Sequence, residues 1–83
     1  MSKKEKLIQR LQTRPNNFSF DELVTLMGHY GYYLIGSGKT GGSRIAFGKD
    51  DDYIRLHRPH PHNILKLYQV DNILEALNER GLI

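Results

Sequence analysis

The chain has no cysteine among its 83 residues, so it carries neither a disulfide framework nor a thiolate zinc site, and nothing in it argues for an oxidising compartment. It also lacks any apolar run approaching membrane length. The start, Met1-Ser2-Lys3-Lys4-Glu5-Lys6, is charged like the head of a signal peptide, but Leu7-Ile8 gives way at once to Gln9-Arg10, so no secretory leader is expected. The expectation is a soluble, cytoplasmic protein. Repeats, linkers and low-complexity tracts are absent as well. At this length one core is all that can be filled, which predicts a single domain over residues 1–83 with little room for a deep substrate cavity. A stability of about 5 to 8 kcal/mol is expected at this size.

What is present begins with charge. Twelve Lys+Arg against nine Asp+Glu leave a formal net charge of +3, a mild excess whose distribution matters more than its total. The acids gather in Asp50-Asp51-Asp52 and towards the C-terminus. Lys39, Arg44, Lys49, Arg55 and Arg58 fall in the middle segment, with histidines beside them. A local positive field there would attract phosphates.

Hydrophobic spacing supplies the elements. Leu7, Ile8 and Leu11 recur at helical intervals over Lys3 to Thr13, with Ser2 as N-cap and Arg14-Pro15 as stop. Ser19-Phe20-Asp21-Glu22 reads as a capping box, with Phe18 and Leu23 placed for a hydrophobic staple. Leu23, Val24, Met27 and Tyr30 form the next buried stripe, which Gly31 ends. From Tyr32 the run Tyr-Tyr-Leu-Ile up to Gly36 predicts a first strand. Ser43–Phe47 and Tyr53–His57 alternate with period two and place Ile45, Phe47, Ile54 and Leu56 inward. Lys49-Asp50-Asp51-Asp52 is then a solvated turn, and equal strand lengths across it pair Phe47 with Ile54, Ala46 with Arg55 and Arg44 with His57. Arg58-Pro59-His60-Pro61-His62-Asn63 predicts a loop, because its two prolines remove backbone donors. A last helix from about Tyr68 to Arg80 buries Val70, Ile73, Leu74 and Leu77 and stops at Gly81. The fold class is therefore α+β, in the order helix, helix, three-stranded antiparallel sheet, helix, with one sheet face covered and the other free.

Several patterns invite chemistry. Gly38-Lys39-Thr40 suggests a phosphate-binding P-loop, but the first glycine of that motif falls on Tyr33 and a strand rather than a helix follows. The glycine-rich stretch either brings backbone amides to a phosphate or simply connects two strands, and spacing does not choose between these. The histidines of His57-Arg58-Pro59-His60-Pro61-His62 recur at short intervals, yet no cysteine accompanies them and the cation Arg58 sits inside the cluster, so no metal is expected. Contact with RNA fits better: histidine exchanges protons near neutral pH, and arginine forks onto phosphate oxygens. His62 reads as part of a solvated loop. Ser43 and Thr40 have no nucleophile-activating partners in the pattern. Tyr30, Tyr32 or Tyr33 complete the core, whereas Tyr53 lies outward with Arg55 and His57, where an aromatic ring can stack a base.

Taken in order, these residues resemble the HicA-type toxins, small ribonucleases (mRNA interferases) of bacterial type II toxin-antitoxin pairs. The resemblance runs from about Ser19 to Ile83. It is carried by His29-Tyr30-Gly31-Tyr32, Gly38-Lys39-Thr40-Gly41-Gly42-Ser43-Arg44, Leu56-His57-Arg58-Pro59-His60 and the final Ile73-Leu74-Glu75-Ala76-Leu77-Asn78-Glu79-Arg80-Gly81-Leu82-Ile83. Residues 1–15 look like an additional N-terminal helix. The resemblance implies a double-stranded-RNA-binding-domain-like fold, mRNA as substrate, cleavage with no cofactor or metal, and a HicB-type antitoxin as protein partner. Where the family's Gly-Ser-His motif has its catalytic histidine, this chain has Arg44, which stays protonated and binds phosphate rather than taking a proton. The catalytic candidates are therefore His57 with Arg44, and the RNA-binding candidates are Lys39, Thr40, Ser43, Tyr53, Arg55, Arg58 and His60. An RNA-binding module without catalysis, and a protein-interaction subunit docking through its sheet, are the alternative readings.

Overall fold

A computed structural model describes residues 2–36, 44–59 and 62–83. Its elements are α1 (Lys3–Gln12), α2 (Phe20–His29), β1 (Tyr33–Gly36), β2 (Arg44–Lys49), β3 (Asp52–His57) and α3 (Leu67–Glu79). The helix starts follow from their caps. Ser2 Oγ accepts from the Glu5 amide at 3.1 Å. At α2 the capping box is complete: the Glu22 amide donates to Ser19 Oγ and the Ser19 amide to Glu22 Oε1, both at 3.0 Å. Phe18 and Leu23, on either side of the box, are fully buried.

Two helices end alike. Gly31 and Gly81 have φ of 89° and 70°. Each donates to the carbonyl three residues back while the following residue reaches the carbonyl five back, as Tyr32 to Met27 and Leu82 to Leu77 do. This explains why β1 starts at Tyr33 and not, as the pattern predicts, at Tyr32. The Tyr32 amide is committed to α2, and the residue turns its ring into the core. Tyr33 instead faces outward, 59 % exposed, so it does not complete the core.

The sheet order is β1-β2-β3, antiparallel throughout. Phe47 pairs with Ile54, Ala46 with Arg55 and Arg44 with His57, which is the register read from the sequence, and on the other side Phe47 pairs with Leu34 and Ala46 with Ile35. The turn is tighter than expected. Lys49 pairs with Asp52, leaving only Asp50-Asp51 to reverse the chain, and Asp50 adopts a φ of 54° that aspartate tolerates better than most residues. Ile45, Phe47 and Ile54 form the sheet's buried face, against Phe20, Leu23, Leu26 and Met27 of α2 and Val70, Ile73 and Leu77 of α3. Helix α1 is more than an appendage, since Leu11 is fully buried in the same core. Arg14 bridges from the end of α1 to Asp71 with two hydrogen bonds of 2.7 and 2.9 Å. Arg10 pairs with Glu22. Burial alone would raise the Glu22 carboxyl, but hydrogen bonds from Ser19 and Arg10 outweigh it and leave the group below its usual range.

Asp52 is not solvated as the turn assignment implied. Arg80 forks onto it at 2.6 and 2.9 Å and Tyr32 Oη donates at 2.5 Å, tying the hairpin to the end of α3. No local pattern announces a partner 28 residues away. Arg80 first and Tyr32 second hold its carboxyl down to about 2, below the ordinary 3.8. A depressed folded value stabilises the fold above the unfolded value, and the contribution disappears as pH falls through the folded one. Asp52→Asn should therefore lower the melting temperature at neutral pH, with the gap to the parent closing between pH 3.8 and about 2 in thermal melts followed by circular dichroism. A gap that stays constant over that range would contradict this.

Candidate nucleic-acid interface

The free face of the sheet is built in cross-strand rows. Tyr33, Gly48 and Tyr53 form one, Ile35, Ala46 and Arg55 the next, and Arg44 with His57 the third. A two-residue turn closed by Lys49 and Asp52 sets the parity of the ladder. It places Tyr53, Arg55 and His57 at non-hydrogen-bonded positions, where facing side chains come closest. Arg44 and His57 thus have β-carbons about 4.5 to 5.5 Å apart and can act on one ligand atom. Arg55 sits one pleat along, its guanidinium 5.8 Å from the centre of the Tyr53 ring.

Gly48 keeps this face low. A Cβ there would lie 2.7 Å from Ile35 Cδ1 and 3.1 Å from Tyr53 Cε1, so its absence lets both side chains lean across the central strand. Two adjoining depressions lie further along the same face. One of about 320 Å³ runs between Ile35, Gly36, Arg44, Ala46 and Arg55, and one of about 410 Å³ between Arg44, Arg55, Leu56 and His57. Both are shallow and share the two guanidiniums, an arrangement suited to a phosphate on an extended strand rather than to a small molecule enclosed on all sides.

The structure brings Arg44, Tyr53, Arg55 and His57 to one surface. It does not bring Arg58 there. The guanidinium of Arg58 stacks 4.9 Å from the centre of the Phe20 ring, on the side of the sheet that carries the helices, because strand alternation turns residue 58 away from residues 55 and 57. Lys39, Thr40, Ser43 and His60 lie outside the described residues.

Gln69 is the site's unforeseen residue. It is buried, its Oε1 accepts from the Lys66 amide at 3.0 Å, and its Nε2 donates to the His57 carbonyl at 2.8 Å, so the first turn of α3 holds the end of β3 in place. A glutamine four residues before Ile73, on the stripe that continues to Leu77, was the available signal: a polar group on a buried face needs a partner. Among the described residues no three metal-ligating side chains gather, and no helix is long and apolar enough to cross a membrane.

No family model, curated protein or solved structure matches the chain. The chemistry of the site itself is that of two guanidiniums, a group able to fork onto phosphate oxygens, an imidazole beside them, and an aromatic ring at the edge.

Proposed function

We propose that this chain is a HicA-like RNA-binding domain with a double-stranded-RNA-binding-domain-like fold, which holds mRNA across the free sheet face and cleaves it without a metal. The observation that carries the reading is the register pair Arg44–His57, with Arg55 and Tyr53 on the same side. Arg44 and Arg55 hold the scissile phosphate. His57 takes the proton of the adjacent ribose 2′-hydroxyl as that oxygen attacks phosphorus. The bond to the 5′-oxygen breaks, water returns a proton to the leaving oxygen, and the products are a 2′,3′-cyclic phosphate and a 5′-hydroxyl. A HicB-type antitoxin neutralises the toxin by covering this face, and the reaction belongs in the cytoplasm, where mRNA is met.

A binding module without catalysis is the second reading. The chain favours it at one position, since Arg44 stands where the resembled family has a histidine and cannot serve as a base.

Incubating the purified chain with RNA in EDTA, across a range of salt, separates the readings. Breakdown that advances with time supports the nuclease. Intact RNA bound with an affinity that falls steeply with salt supports the module, and no affinity even at low salt would point to a protein-interaction subunit. Arg44→Ala and Arg55→Ala should each lower the slope of log affinity against log salt by about one.

A further inference from the structure

On the outer side of β3 a groove of about 360 Å³ separates the strand from α3. Tyr53, Arg55 and His57 border it from the sheet, and Tyr68, Asn72 and Arg80 from the helix. Strand β3 is an edge, so the backbone groups of Tyr53, Arg55 and His57 that face away from β2 point into this groove. The two ends of that edge are occupied. Gln69 Nε2 donates to the His57 carbonyl at 2.8 Å, and Arg80 reaches the Tyr53 carbonyl at 3.5 Å.

Between the two bound carbonyls Arg55 turns both its amide and its carbonyl to the groove, a donor and an acceptor side by side, with the His57 amide next to them. A peptide strand adding to the sheet would need alternate residues along the whole edge, which the clamps of Gln69 and Arg80 deny it. A nucleobase needs only one such pair, because each base presents adjacent donors and acceptors along its Watson–Crick edge. The rest of the groove suits the same occupant. Tyr68 is 55 % exposed and Asn72 lies one turn further on the same helical face, giving an aromatic surface for stacking and an amide for a base edge. The groove is also continuous with the phosphate-binding face, since Arg55 and His57 border both.

We propose that the groove between β3 and α3 is a nucleobase pocket that takes one unpaired base next to the phosphate held by Arg44 and Arg55, so that the substrate is single-stranded RNA. This deepens the RNA reading above and rests on it. A base in the pocket has left any duplex, and Tyr68 and Asn72 determine which base is preferred without touching the backbone.

The test uses the full chain and a short fluorescein-labelled RNA, offered as a single strand and as a duplex of the same sequence, with binding read by anisotropy. The parent should bind the single strand more tightly. Tyr68→Ala should weaken single-strand binding by about 5- to 150-fold, the range for losing one stacked base, with no change in salt slope. Tyr68→Phe should restore it, and Asn72→Ala should alter the preference among single strands that differ in base. Both positions are exposed, so the fold is retained. Equal or tighter binding of the duplex, or parental affinity in Tyr68→Ala while Arg44→Ala loses binding, would overturn the pocket and leave the phosphate face standing. A parent that binds neither RNA overturns both.

Discussion

Replacing His57 with alanine should slow RNA cleavage by about 100- to 10,000-fold, the span usually supplied by a positioned general base, while changing RNA affinity by no more than a few-fold. The asymmetry follows from the site. In the proposed reaction Arg44 and Arg55 hold the phosphate through fixed positive charge, whereas His57 acts on the proton. His57 is exposed, and what anchors its backbone, the bond from Gln69 Nε2 to its carbonyl, survives the loss of the side chain. Arg44→Ala is the contrasting variant and should lose affinity and rate together. Single-turnover cleavage with enzyme in excess separates the two quantities. A His57→Ala protein that cleaves as fast as the parent would remove the imidazole from the mechanism.

The second large effect concerns the fold. Phe47→Ala should cost about 3 to 5 kcal/mol, because the lost transfer energy is joined by a cavity that a small core cannot close. Phe47 is fully buried at the middle of the central strand, pairs with Leu34 and Ile54, and its ring centre lies 6.3 Å from that of Phe20. Against an expected total of about 5 to 8 kcal/mol, such a loss takes away roughly 40 % of the stability at the least. Urea denaturation should show the midpoint falling steeply with the slope unchanged, whereas Glu75→Ala, on the outer face of α3, should stay within about 0.5 kcal/mol of the parent. A Phe47→Ala midpoint close to that of Glu75→Ala would show that the core repacks.

Legibility in the sequence followed the range of the interactions. Caps and stops are local, so Ser19 with Glu22, Gly31 and Gly81 announced their helix ends within a few residues. The hairpin register was also legible, because period-two alternation on both sides of a short turn admits few pairings, and it placed Arg44 opposite His57. Turn length was not, since closing it at Asp50-Asp51 depends on an unusual φ at Asp50. Contacts between distant elements left no periodic trace. Asp52 reads as one acid in a run of three until Arg80 is seen to fork onto it, and Arg58 reads as an RNA-binding residue beside His57 until Phe20 is seen beneath it. The groove beside α3 was invisible for the same reason. Its two walls are made of residues from separate segments that only packing brings together.

The clamps on β3 also bear on how copies of the chain avoid one another. A sheet of three strands offers two edges, and here one of them is closed by Gln69 and Arg80 while β1, only four residues long, is the other. The bound carbonyls on β3 favour β1 against β1 as the strand-to-strand pairing between copies. That joins two sheets and leaves clamped β3 strands at both outer limits, so growth ends at a pair instead of propagating into a fibre.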